Sequence, residues 1–171
     1  MVKRAFRHLR SYGLHMHTPR LDLNRYVPGL LGFIYNKMSA GASACYRKEF
    51  GVGIIEWRML SMLAVEEDIT ANRIAQVIGL DKAAVSRAVQ ALIKSEHIAT
   101  KVNPNDGRSV TLSLTAKGFE LHDQIITVAL EREKRLLGGL SKKEVETLLD
   151  LLRRMHGNVA HANFAGGVTE E

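Results

Sequence analysis

Ala83, Arg87, Gln90 and Lys94 recur at spacings of four, three and four residues, which on an α-helix places them on one face. An arginine there can donate two parallel hydrogen bonds to a guanine edge, a glutamine can pair with adenine, and a small alanine can touch a thymine methyl group. Ser86 lies at the margin of that face. Lys82 and Ser86 fall near the helix start, where a lysine and free backbone N–H groups favour phosphate. Val85, Ala88, Val89 and Leu92 fall on the opposite side and read as core. The chemistry this pattern suits is recognition of a polyanion rather than bond-making. No nucleophile–base pair, phosphate-cradling glycine loop or zinc cluster accompanies it in the sequence, so no enzyme, cofactor or metal is expected.

A second feature follows closely. Asn103 to Thr115 reads NPNDGRSVTLSLT, in which Asn-Pro and Asp-Gly mark a tight loop and Val110, Leu112 and Leu114 alternate with polar residues. That is a hairpin with Arg108 at its tip. A narrow minor groove concentrates negative potential and attracts such an arginine, and Asp106 is placed to orient it through a bidentate pair. With Thr70 and Arg73 from an earlier helix start and Ser109 beside the tip, the expected DNA-contacting set is Thr70, Arg73, Lys82, Ala83, Ser86, Arg87, Gln90, Lys94, Arg108 and Ser109. Asp106 supports the wing.

The elements that must hold these residues can be read in turn. Thr70 is a good N-cap for a helix over Ala71–Ile78, Gly79 a good stop, and Asp81 a cap for a second helix from Lys82 to about Ser95. Ala75, Gly79 and Val85 stand at helix-turn-helix spacing: a small residue for close approach, a glycine for positive φ in the turn, and a valine filling the angle. Strands are expected over Ile98–Val102 and Val110–Leu114, which makes the unit a winged helix. Upstream, Ile54–Val65 reads as a short helix with Trp57, Leu60, Leu63 and Ala64 inward. About Asn24 to Phe50 reads as a longer one, with Val27, Leu31, Ile34, Met38, Ala42 and Cys45 on a stripe and Pro28 at or before its first turn. Downstream, a helix runs from Thr115 to about Leu137. Ser141 and Glu144 form a capping box for a last helix striped by Val145, Leu148, Leu149, Leu152 and Met155. HANFAGGVTEE reads as a frayed tail.

At this point the chain resembles the MarR (multiple antibiotic resistance regulator) family. DKAAVSRAVQALIKSEHIATKVNPNDGRSVTLSLTAKG is similar to that family's recognition helix and wing, with Asp106, Arg108, Leu112, Leu114 and Thr115 carrying the wing pattern. EWRMLSML and ITANRIAQVIGL match its two preceding helices. The resemblance covers about residues 24–160. It implies a mainly α fold with a small β-hairpin wing, a winged helix-turn-helix lobe joined to a helical dimerisation lobe. It also implies a homodimeric transcriptional regulator on a palindromic double-stranded DNA operator, often with a small aromatic or phenolic effector. The expected domains are a basic arm over 1–22, a winged helix domain over 23–160 and a tail over 161–171. Within the second, 54–114 bind DNA, and 23–50 and 115–160 dimerise. The apolar stripes of the terminal helices exceed what one small winged helix covers, which agrees with a second copy. Tyr35, Met38, Trp57, Met59 and Met62 are candidates to line an effector pocket, with plain core as the alternative.

Composition fits this picture. The 171 residues are 46% hydrophobic and 25% charged with net charge +6, an ordinary globular balance. The charge is uneven: residues 1–25 carry six basic side chains and one acidic, while 119–171 carry seven basic and nine acidic, an asymmetry that suits a polyanion partner. A single cysteine, Cys45, and no apolar run of membrane-spanning length point to a cytoplasmic protein with no membrane partner. Two other readings compete: a winged-helix module that binds protein or RNA, and a redox-responsive regulator sensing through Cys45. His15 and His17 lack a third metal ligand, and His97 and His122 read as structural.

Overall fold

A computed structural model of the chain describes residues 20–103 and 106–164. The chain divides into two compact units, Met1–Gly41 and Ala42–Glu171, and helix α1 (Val27–Phe50) runs through the boundary. In the first unit the chain enters α1 through a turn built on Asp22. Its side chain accepts from the Asn24 N–H at 2.9 Å, and its carbonyl accepts from the Arg25 and Tyr26 N–H groups. That turn consumes the residues expected to begin the helix, which starts at Val27 with Pro28 in its first turn, where the missing N–H costs nothing.

The second unit holds the rest of the architecture. After α1 come α2 (Ile54–Leu63), β1 (Ile69–Thr70), α3 (Ala71–Ile78), α4 (Lys82–Lys94), β2 (Ile98–Asn103), β3 (Asp106–Leu114), α5 (Ala116–Leu136), α6 (Lys142–Gly157) and α7 (Val159–Ala162). The fold is mostly helical with one small antiparallel sheet ordered β1-β3-β2. β2 and β3 pair from Ile98 opposite Leu114 to Val102 opposite Val110, with an irregularity beyond Val102. The third strand was not expected. Its two residues pair Ile69 with Leu112 and Thr70 with Thr111, too short a run to show any period in sequence. α7 likewise carries helix into the first residues of the expected tail.

One core fills this unit. Met59, Leu60 and Leu63 of α2, Ile74 of α3, Val85 and Leu92 of α4, Ile98 and Leu112 of the sheet and Ile125 of α5 are buried together. Tyr46 joins them at 2% exposure. Its neighbours are Phe50 at 6.4 Å and, edge-on, Trp57 at 5.9 Å between ring centroids. Burial pushes the Tyr46 phenol up from its ordinary pKa, against the lowering effect of Arg132, which is hydrogen-bonded to it. The end of α4 is joined to the start of α5 by a tight corner. Glu96 has φ of +60°, its carbonyl accepts from Thr115 Oγ1 at 2.7 Å, and the His97 carbonyl accepts from the Thr115 N–H at 3.1 Å. Gly118 lies so close that a Cβ there would stand 2.0 Å from the His97 oxygen. Only glycine fits.

Candidate nucleic-acid interface

The turn between α3 and α4 is built from Gly79. Thr70 caps α3 by accepting from the Arg73 N–H at 3.1 Å, and Gly79 ends it with φ of +71°. The N–H groups of Gly79 and Leu80 both reach the Ala75 carbonyl, at 2.9 and 3.1 Å, the bonding that closes a helix with a left-handed residue. Ala75 and Val85 are buried on either side of this turn. Asp81 then starts α4 by accepting from the Ala84 N–H at 2.9 Å.

With that frame fixed, α4 divides cleanly into two faces. Ala84, Val85, Ala88 and Leu92 are buried, and Val89 is half-buried. Lys82, Ala83, Ser86, Arg87, Gln90 and Lys94 are all exposed, and none of them is acidic. The expected inward set therefore holds, with Ala84 as an addition: a small residue at the crowded helix start gives no periodic signal of its own.

Thr70 and Arg73 occupy the first turn of α3 and its cap. Arg73 is exposed, and its Nε and Nη2 each donate to a Glu66 carboxylate oxygen at 3.4 Å, so part of its charge is met within the chain. A shallow cavity of about 210 Å³ opens between the start of α3 and α4, lined by Ala71, Asn72, Lys82, Val85, Ser86 and Val89. Asn72 was not anticipated. It shares this concavity with two candidate residues, and its amide offers both donors and an acceptor. In sequence it was one polar residue among many in a capped first turn.

The backbone of β3 includes Asp106, Arg108 and Ser109, and the placement of their side chains lies outside the described residues. The strands below them are anchored on the core by Ile98, Leu112 and Leu114, while Val102 and Val110, opposite one another, stand exposed past its edge.

Of the residues put forward for an effector pocket, Trp57, Met59 and Met62 belong to the second unit. Trp57 and Met62 line an open groove of about 530 Å³ along α2 and α3, with Arg58, Ser61, Val65, Glu66, Val77 and Ile78. Met59, on the same helix, is fully buried in the core, and Tyr35 and Met38 belong to the first unit. Trp57 stacks on His122 with centroids 5.5 Å apart, and His122 Nδ1 lies 3.0 Å from Asp123 Oδ1. His97 Nδ1 lies 2.7 Å from Ser95 Oγ. Burial first, and then the nearby Lys117, hold the His97 pKa below its ordinary value, with Glu96 opposing. Cys45 is half-buried against the core. His15 and His17 lie outside the described residues.

Comparison with known proteins agrees with this geometry. The model of the MarR family matches residues 50–109. A MarR/EmrR family transcriptional regulator from Acinetobacter sp. ADP1 superposes with a TM-score of 0.76 at 33% identity, over 82% of this chain and 99% of that one. MepR of S. aureus, solved as a complex with DNA, superposes at 0.67 with 22% identity over 77% of this chain and 94% of its own. An uncharacterised HTH-type transcriptional regulator of Bacillus subtilis, YdgJ, is 27% identical over 112 residues. These make up 64% of this chain and 66% of that protein, just under two thirds of its length.

Proposed function

The chain belongs to the MarR family of transcriptional regulators, and on that premise we propose that it is a homodimeric, sequence-specific regulator of double-stranded DNA. The observation that carries the reading is the division of α4: a buried apolar face locks the helix to the lobe, and an exposed face presents Ala83, Arg87 and Gln90 with no carboxylate among them. A major groove admits such a helix, its amino-terminal half deepest. Lys82, Ser86 and Lys94 flank that face as phosphate contacts, Thr70, Arg73 and Asn72 add the start of α3, and Arg108 and Ser109 carry the wing to the minor groove. The MepR complex with DNA, a protein of the same fold, supports this use of the lobe.

Dimerisation is supported by what the chain leaves uncovered. α6 has sixteen residues and buries none of them, although Val145, Leu148, Leu149, Leu152 and Met155 form a stripe. In the first unit Tyr26, Leu30, Phe33 and Ile34 are exposed in the same way. A second copy would cover such surfaces, and two-fold symmetry would then present two α4 helices about 34 Å apart to an inverted repeat. Repression in the cytoplasm, relieved by a small aromatic effector, completes the proposal. Trp57 and Met62 in the groove along α2 and α3 are the residues that favour an aromatic ligand.

Selection of duplexes from a random pool by the purified protein, followed by titration at two salt concentrations, tests the reading. The selected sequence should be an inverted repeat, and affinity should fall with salt as expected for several phosphate contacts. Arg87→Ala and Gln90→Ala should each lose about 1–3 kcal/mol on the selected duplex and little on a scrambled one. If both variants bind the two duplexes as the parent does, α4 does not read bases.

A further inference from the structure

Asp68 stands in the turn between α2 and β1 with φ of +55°, a conformation that side chains rarely adopt. From there its Oδ1 accepts from Ser113 Oγ at 2.5 Å and from Lys101 Nζ at 3.3 Å. Ser113 belongs to β3, the central strand, and Lys101 to β2, the far edge, while Asp68 itself leads into β1, the near edge. Lys101 pairs with Thr111 and Ser113 with Ala99, so both side chains rise from the sheet face opposite buried Leu112 and Leu114. One carboxylate thus joins all three strands on the face away from the core.

That arrangement is poorly suited to stabilising the fold. The Asp68 and Lys101 side chains are 51% and 65% exposed, and ion pairs so solvated add little. It is well suited to fixing an angle. β1 runs directly into Thr70, the cap of α3, whereas β2 and β3 form the wing. Val102 and Val110, opposite one another at the outer end of the described pairing, are exposed rather than packed on the core.

We infer that Asp68 is a positioning residue for the wing, holding the β2–β3 hairpin at a set angle to α3 so that wing and α4 meet DNA together. The inference rests on the DNA-binding reading above. The Asp68 carboxyl is held below its ordinary pKa, first by the Ser113 hydrogen bond and then by Lys101, so the carboxylate stays ionised throughout the neutral range.

The test is a double-mutant cycle on a selected duplex of about 30 base pairs, roughly three helical turns, with thermal unfolding measured alongside. Asp68→Gly relieves the backbone and removes both side-chain contacts. It should weaken binding about tenfold while shifting Tm by no more than a few degrees. Arg108→Ala should cost a similar factor alone, yet add no more than about twofold in the Asp68→Gly background, because an unpositioned wing has little left to lose. Asp68→Asn tolerates the same φ and still accepts from Ser113, and should restore most of the affinity. Should Asp68→Gly destabilise the fold, Ser113→Ala paired with Lys101→Met replaces it in the cycle. Parent-like binding by the clasp variants, or fully additive losses with Arg108→Ala, overturns the inference while leaving DNA binding intact. Failure to select any duplex overturns the DNA reading itself. An Arg108→Ala variant that binds as the parent does removes the wing from the interface, and the clasp's role with it.

Discussion

α4 and α6 are both amphipathic helices with a cap on their first turn, thirteen and sixteen residues long. They differ in what the chain does with them. α4 buries Ala84, Val85, Ala88 and Leu92 and leaves a polar, carboxylate-free face in solvent; α6 buries no residue fully, leaving Leu148, Leu151 and Met155 exposed and Val145, Leu149 and Leu152 half-buried. A polar exposed face held by a buried one is a rigid reading surface. An apolar exposed stripe is an unfinished core, costly to leave in water at about 25 cal/mol per Å². Under the function proposed above, the two helices would meet different partners, nucleic acid for α4 and a second copy of the chain for α6.

The largest expected effect belongs to α6. Placing charges on its stripe, as in Leu148→Glu with Leu152→Glu, should convert a dimer to monomer in light scattering and lower affinity for a two-site duplex by about a hundredfold or more. α4 itself would be untouched, so a variant that stayed dimeric would show that the stripe is not the interface. Next in size is Gly118→Ala, behind α4. The added Cβ has no room beside the His97 carbonyl, and forcing a group into a filled space costs on the order of 1–3 kcal/mol. Calorimetry should show a Tm several degrees lower with the oligomeric state kept.

Acid separates the two regions by pH. His97, at the corner after α4, has a lowered pKa. The stability this lends is present above pH 6.5 and lost as the pH falls through the folded value. Glu144, which caps α6 by accepting from the Ser141 hydroxyl and N–H, also has a lowered pKa, owed first to that hydroxyl and then to the backbone. Its contribution is present above 4.5 and lost only below it. The Tm difference between parent and His97→Asn should therefore change from about pH 6.5 downwards, whereas that between parent and Glu144→Gln should stay flat until below about 4.5. Coincident windows would refute the assignment. The smallest effect belongs to Glu66→Gln, which frees Arg73 from its exposed partner. Affinity for any duplex should rise about two- to threefold at low salt and by less at high salt, and a decrease would mean that Glu66 serves to orient Arg73.

Much of the reading lobe was legible because local chemistry specifies it. Thr70, Gly79, Asp81 and Ser141 each act on backbone groups within a few residues and stand where a cap or stop was expected, while Thr115, expected as the first helical residue, is the N-cap of α5. The outward face of α4 followed from periodicity alone. The start of α1 moved to Val27 because the Asp22 turn competes for the same backbone groups. Periodicity places Trp57 inward with Leu60 and Leu63 and does not single out Met59, whereas the structure buries Met59 fully and leaves Trp57 half-buried at the core's edge, beside a groove. Both are large and apolar on one short helix, and only the packing separates them.

The amino-acid order by itself determined the caps, the helix-turn-helix spacing, the hairpin and the polar face of α4, since these rest on interactions between residues close in the chain. Tertiary structure decided the rest. Gly118 is required by a carbonyl twenty-one positions earlier, and Asp68 by a serine forty-five positions later. No local propensity encodes such contacts, because they exist only once separate elements have been packed against one another.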